Sequence, residues 1–464
     1  MIPVPEAFIG QMSALLGEDD SKLFLSALSA LPPVSVRVNA EKDGKAEGDK
    51  VPWCPLGIYM KERPSFTFDP LFHAGTYYVQ EASSMFLSHV LRKFFPNNDN
   101  ASPIMALDLC AAPGGKSTLT LSSLPSGSLL VANEAVRQRA NILAENLTKW
   151  GNPNVIVTNN YAEDFQPLGS VFDLIICDVP CSGEGMFRKD PESISEWSLQ
   201  NVDKCRNRQR NIIQQIWPCL KTGGILIYST CTYNTAENEE NIEWIRHETN
   251  AEVLDCEPDA SWGITGNLLE GQDFPCYRFL PHRTKGEGFF LAALRKTDDD
   301  GSTTCIPKAK KLKPSKQSTA VPAEIRNWIH DSEQFAFRFD EKKQFFSAFP
   351  KAFSSILEQA LSSLSVIHYG IRMATTKGKN VLQPLPSLAL SNSLNVNYFH
   401  QYELTYEQAI SFLRTESLVL SADTPNGFIL VTYRNHPLGF VKNLGSRANN
   451  LYPSEWRIRK IRVS

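Results

Sequence analysis

The 464-residue sequence has no apolar run of the ~20 residues a helix needs to cross a bilayer. Its start, "MIPVPEAFIGQMSALLGEDD", lacks the basic stretch and apolar core of a signal peptide. A cytoplasmic protein without a membrane partner is expected. No Cys-x-x-Cys pair occurs, which removes the usual signature of a zinc site, and no metal is expected. Ten cysteines lie irregularly between Cys54 and Cys305, several inside apolar runs. That pattern suits free thiols in a reducing compartment better than a disulfide framework. Charge of one sign is also missing: the formal net charge is -3, which argues neither for nor against a nucleic-acid partner. There is no G-x-G-x-x-G fingerprint and no G-x-x-x-x-G-K-[ST] loop, so neither a dinucleotide enzyme nor an NTPase is indicated. No internal repeat is present.

What is there points to several units. Residues 1–72 read as a small α+β domain: "EAFIGQMSALLG" has helical spacing and "VSVRVNA" alternates like a strand. Residues 73–296 form the next unit, and from about 104 to 230 it carries a strand–turn–helix rhythm. The strands are "IMALDL", "SLLVANE", "NVIVTNN", "FDLIICD" and "GGILIYST", apolar throughout. In "AVRQRANILAENLTKWG", Val136, Ala140, Leu143, Leu147 and Trp150 share one helical face. Strands apolar on both faces, alternating with amphipathic helices, make a parallel sheet covered on both sides, a Rossmann-like α/β core. Residues 297–322 have few large apolar side chains and read as a linker. A β-rich domain is expected over 323–464. If it is an independent unit, removing it leaves ligand binding by the core intact. Basic residues cluster at the end of the chain, seven Lys or Arg against Glu455 alone from Arg434 onward, and "PKAKKLKPSK" holds five Lys. Such patches fit RNA or DNA as well as a solvated surface.

Two constellations carry chemistry. "ALDLCAAPGGKSTLTLSSL" is a strand, a small-residue loop and a helix start, the turn where open parallel sheets bind ligands. The next strand ends in Glu134, whose carboxylate can accept bonds from ribose hydroxyls. Further on, "ICDVPCSGEGMF" and "GGILIYSTCTYN" each end a strand near a cysteine, Cys181 and Cys231.

These segments, with "RVN" at 37–39, "GTYYVQEASSM" and "YSTCTYNTAENEENI", resemble the motifs of the Fmu/Sun superfamily of RNA cytosine-C5 methyltransferases over roughly residues 30–295. "HYGIRMATTKGKNVLQPLPSLAL" and "GFVKNLGSRANNLYPSEWRIRK" resemble the C-terminal region of the bacterial RsmF-type subset, which acts on small-subunit (16S) ribosomal RNA. The resemblance implies a class I S-adenosylmethionine-dependent methyltransferase core, a C-terminal PUA-like RNA-binding domain, and S-adenosylmethionine as cofactor. It assigns the loop Cys110, Ala111, Ala112, Pro113, Gly114, Gly115 and Lys116 to the cofactor, with Glu134 on its ribose. Where the family has an Asp near the adenine this chain has Tyr161; Asn160 or Asp164 would then substitute.

Carbon 5 of cytosine is a poor nucleophile until a thiolate adds at carbon 6. Chemistry alone leaves Cys181 and Cys231 both open as the attacking group. The resemblance makes Cys231 the nucleophile and Cys181 the residue that helps release product, with Asp178 serving ring nitrogen 3 and the cofactor side of the site. Arg447, Arg457, Arg459, Lys460 and Arg462, interleaved with Tyr452 and Trp456, are candidate RNA contacts. The implied partner is small-subunit ribosomal RNA or the assembled subunit, engaged by a monomer. The alternatives are a tRNA cytosine-C5 methyltransferase and a non-catalytic assembly factor.

Overall fold

A computed structural model describes residues 4–98, 100–297, 321–341, 343–377 and 381–460. Cys305, Arg462, the basic segment 307–316 and all but the ends of the expected linker lie outside the described residues.

The centre is one nine-stranded sheet. Its strands are β1 (Met105–Asp108), β2 (Leu129–Asn133), β3 (Val155–Thr158), β4 (Phe172–Asp178), β5 (Leu220–Thr230), β6 (Glu252–Leu254), β7 (Tyr277–Phe279), β8 (Phe289–Arg295) and β9 (Val366–Tyr369). The order is β6-β8-β5-β4-β1-β2-β3-β9, with β7 on β8. β1 to β5 are parallel neighbours in the order 3-2-1-4-5. β8 runs antiparallel to β5. This is the class I methyltransferase arrangement.

Alternation along the strands separates two cores. Ala106, Leu130, Leu174 and Ile176 face helices α1 (Gly115–Ser123) and α2 (Arg137–Trp150) through Leu119, Leu143 and Leu147. Leu107, Val131, Ile175 and Cys177 face α3 (Leu199–Ile216), α4 (Glu239–Thr249) and α5 (Ser354–Ser363) through Ile213, Ile242 and Leu357. Each fully buried aliphatic side chain contributes ~1.5–3 kcal/mol. On α2 the expected face is buried except at Val136, which is 52% exposed. Val136 has extended backbone and sits one residue before the first helical turn, so helical spacing does not govern it.

A four-stranded antiparallel sheet precedes the core, in the order 49–51, 54–60, 34–38, 77–79. Its last strand, Tyr77–Val79, falls beyond residue 72. Arg37 ties this sheet to the core. Its guanidinium donates to Gln80 Oε1 at 2.9 Å and to Thr118 Oγ1 on α1 at 2.5 Å, and lies 4.5 Å from the Trp150 ring centroid. Asn39 Nδ2 donates to the carbonyls of Gly75 and Trp150, both at 3.0 Å.

After residue 320 come two more four-stranded sheets. The second contains the hairpin 427–433/436–443, whose turn residues Arg434 and Asn435 both have positive φ, as a two-residue hairpin turn requires. Between strands 345–350 and 371–377, the inner pair of the first of these sheets, the chain sends β9 back onto the free edge of β3, antiparallel. Residues within 323–464 therefore complete the central sheet, and Phe349, Leu357, Leu364 and Tyr369 are buried in its core. No helix among the described residues is long and apolar enough to cross a membrane.

Candidate active site

The carboxyl ends of β1, β4 and β5 meet where parallel α/β sheets bind ligands. After β1, residues 109–114 turn into α1. Gly114 has φ +116°, a left-handed conformation that glycine adopts without steric cost. A Cβ there would also meet Leu143 Cδ1 at 3.3 Å. Arg139 and Asn146 of α2 donate to the loop carbonyls of Ala112 and Pro113, at 3.0 and 2.8 Å. The loop is thus held open from behind by side chains of the next helix. Ala111 N–H donates to Asn133 O at 2.8 Å. The Cys110 thiol is pushed up in pKa, by burial first and then by Asp108, and behaves as a packed, protonated side chain.

Three strand-end carboxylates line this crevice: Asp108, Glu134 and Asp178. Asp108 is buried, accepts from Ser117 Oγ at 2.6 Å, and its other oxygen has no partner. Burial raises its pKa to about 7, against the Ser117 bond and with help from Asp178. Glu134 accepts from Val136 N–H at 2.9 Å and lies 3.5 Å from the Arg139 guanidinium. Asp178 is paired with Lys116 Nζ at 2.8 Å and accepts from Ser229 Oγ at 2.8 Å. Burial opposes the Lys116 charge, yet Asp178 and the bond to it leave the ammonium with a raised pKa. A crevice with three carboxyl groups, one of them with an unsatisfied oxygen, suits a ligand rich in O–H and N–H donors. S-adenosylmethionine, a sulfonium bearing an ammonium and a ribose, meets that description.

The two thiols come together. Cys181 Sγ and Cys231 Sγ are 3.3 Å apart, at the ends of neighbouring strands β4 and β5. The hydrogen bond with Cys231, followed by burial, pushes the Cys181 pKa well up, so Cys181 keeps its proton. The flanks of Cys181 are fixed: Gln209 Nε2 donates to Pro180 O at 3.0 Å, and Ser182 N–H donates to Glu237 Oε2 at 3.0 Å. Cys177, Cys205 and Cys219 are buried away from this contact and pack in the core.

Other expected site residues fall differently. Asn160 is already partnered, accepting from Ser365 N–H at 2.9 Å and donating to Asp164 at 3.1 Å. Tyr161 is 66% exposed, and its N–H donates to Asp164 Oδ2 at 2.9 Å. Asp164 caps the turn after β3 through this one oxygen. Lys116, expected in the cofactor loop, directs its ammonium to Asp178. Asp108 and Ser229, which meet the site through Ser117 and Asp178, were not among the expected site residues. Asp108 had the same signal as Glu134 and Asp178, an acid ending an apolar strand. Arg447, Arg457, Arg459 and Lys460 are exposed, while Tyr452 is buried against Phe412 and Trp456.

The chain matches three family models: 16S rRNA methyltransferase RsmB/F over residues 94–295, the N-terminal domain of 16S rRNA methyltransferase RsmF over 4–82, and the methyltransferase RsmF PUA domain over 399–458. It is 30% identical to a ribosomal RNA small subunit methyltransferase F of Escherichia fergusonii, covering 97% of this chain and 96% of that protein. A protein of the same description from Aliivibrio salmonicida is 31% identical, over 97% of each. Among solved structures, a methyltransferase homolog from Pyrococcus horikoshii superposes with TM-score 0.54 at 26% identity, over 64% of this chain and 96% of that one. NSun6 from the same organism, solved with SFG, shares the fold at TM-score 0.54 and 20% identity, over 64% of this chain and 99% of that one. The cofactor is S-adenosylmethionine, and the crevice described above fits it. The chain belongs to the RsmB/F family of 16S ribosomal RNA methyltransferases, with the N-terminal and PUA domains of the RsmF branch.

Proposed function

We propose that this protein methylates carbon 5 of a cytosine in small-subunit ribosomal RNA through a covalent adduct on Cys231. The observation that carries the reading is the pair of thiol sulfurs 3.3 Å apart beside the Lys116–Asp178 ion pair. When bound, S-adenosylmethionine supplies an electrophilic methyl group on sulfur. The remaining work falls to side chains of this chain. Cys231 adds as a thiolate to carbon 6, forming the S–C6 bond and giving carbon 5 enamine character. Charge develops on ring nitrogen 3 as the bond forms. The Lys116 ammonium supplies a proton there through Asp178, the carboxylate it is paired with. Glu134 accepts from the ribose, and the 110–116 loop approaches the cofactor with its backbone. Once carbon 5 carries the methyl group, its proton passes to solvent water, nitrogen 3 returns its proton through Asp178 to Lys116, the S–C6 bond breaks and Cys231 departs as thiolate. The S–H of Cys181 stabilises that leaving anion through the contact already in place.

A cytosine within a duplex cannot reach such a crevice, so the base is flipped or unpaired when it reacts. The exposed Arg447 and Arg457 of the PUA domain, with Arg459 and Lys460 just beyond it, suit phosphate contacts that hold the RNA while the base enters.

The test uses radiolabelled S-adenosylmethionine with small subunits, free 16S RNA and tRNA. Cys231→Ala abolishes transfer on the ribosomal substrate. Cys181→Ala accumulates a protein–RNA adduct stable on a denaturing gel. An adduct from Cys231→Ala instead reverses the roles, labelled tRNA alone moves the substrate, and no labelling of any RNA by the wild type ends the proposal.

A further inference from the structure

The proposed chemistry needs two loops held in register, because neither cysteine lies on regular secondary structure. One carboxylate spans both loops. Glu184, three residues after Cys181, is completely buried. Its Oε2 accepts backbone N–H bonds from Tyr233 at 2.7 Å and Asn234 at 2.9 Å, the residues just past Cys231. Its Oε1 accepts from Asn234 Nδ2, Trp197 Nε1 and Gln11 Nε2, each at 3.0 Å. Five donors on one carboxylate leave no lone pair idle. The next residue completes the seam: Gly185 N–H donates to Cys231 O at 2.7 Å, and a Cβ on Gly185 would stand 2.5 Å from that oxygen. The Cys181 loop is therefore laced to the Cys231 loop by three backbone N–H bonds, two onto Glu184 and one from Gly185.

We propose that Glu184 is a positioning residue that sets the contact between Cys181 and Cys231. The proposal rests on the reading that these thiols carry the reaction, but it concerns where they sit. Glu184→Gln is close to isosteric and cannot satisfy all five donors. Turned one way, its NH2 is set against the two backbone N–H groups of the seam; turned the other, it keeps those bonds but is set against the Trp197 indole N–H and crowds the carboxyl site from that side. A displacement near 1 Å at a reacting group costs about a hundred-fold in rate.

The spacing can be read without catalysis. Diamide removes two electrons and two protons from a thiol pair, giving a disulfide and a hydrazine, and does so readily only where the sulfurs can reach bonding geometry. In the full-length wild type, diamide links Cys181 to Cys231, as followed by mass spectrometry of alkylated peptides. In Glu184→Gln the linking rate falls about ten-fold or more, while S-adenosylhomocysteine affinity stays within about two-fold. In methyl transfer the ratio of trapped adduct to released product rises, a shift that general loss of folded enzyme does not produce. Trp197→Phe, which removes one outer donor and keeps both backbone bonds, links near the wild-type rate.

A wild-type linking rate in Glu184→Gln overturns the proposal. Slowed linking with unchanged methyl transfer keeps the positioning role and sinks the catalytic reading of the thiols. If Glu184→Gln loses S-adenosylhomocysteine binding, Gly185→Ala decides on the same readout, since its Cβ strikes Cys231 O without touching a carboxylate. Loss of binding there too, or linking as fast as wild type, makes the seam general scaffolding and the proposal falls.

Discussion

Cut the chain after residue 297 and the central sheet loses β9, the cover on β3's free edge. The backbone bonds of Val366, His368 and Tyr369 to Thr158, Val157 and Ile156 go with it. So does the apolar cover of Phe349, Leu357, Leu364 and Tyr369, all buried in the core that α3 and α4 share. At ~1.5–3 kcal/mol per buried side chain, the four represent about 6–12 kcal/mol. A whole domain is stable by only about 5–15 kcal/mol. The shortened chain is therefore expected to melt at least roughly 10 °C lower, or not to fold. It also loses the Ser365 contacts to Asn159 and Asn160 at the end of β3, 2.9 Å each. Scanning fluorimetry and calorimetric titration with S-adenosylhomocysteine measure both effects. Should the 1–297 chain melt within about 2 °C of the full chain and bind equally well, the sheet completion described here contributes nothing. The C-terminal region would then be the separable module that its sequence suggested.

Two further outcomes follow from the crevice. Asp108 has a folded pKa near 7, above its ordinary 3.8, because it is buried. Its contribution to stability is therefore full at low pH and is lost as pH rises through about 7, up to about 4 kcal/mol. Measured without cofactor, the melting temperature of Asp108→Asn should fall less than wild type between pH 5 and 8; parallel curves would show that Asp108 does not titrate there. Glu134→Gln should weaken S-adenosylhomocysteine about 10–100-fold, the worth of a hydrogen bond to a charged group, with little change in melting. Affinity within about two-fold of wild type would remove Glu134 from the ribose.

Much of this architecture is local and is written in local pattern. Runs such as "FDLIICD" are apolar on both faces, and that alone demands a strand covered on both sides. Gly151 stops α2 in the left-handed conformation, and the small residues of the 110–116 loop mark the ligand turn. Cys181 and Cys231 could be singled out because each follows a strand end. Their contact could not, since it depends on β4 and β5 being neighbours and on Glu184 finding Tyr233 and Asn234 fifty residues away. The same holds for Lys116, whose long side chain could reach several partners; only the packing of α1 against β4 gives it Asp178. The placement of β9 was hidden for a related reason. "SVIHYG" is apolar enough to be any strand, and an edge with unpaired N–H and C=O groups accepts whichever segment the chain brings to it. Periodicity and strand-end chemistry settled the elements and the candidate groups, because both act over a few residues. Which groups touch was decided by tertiary packing, because hydrogen bonds and ion pairs are made at 3 Å between residues that the sequence holds far apart.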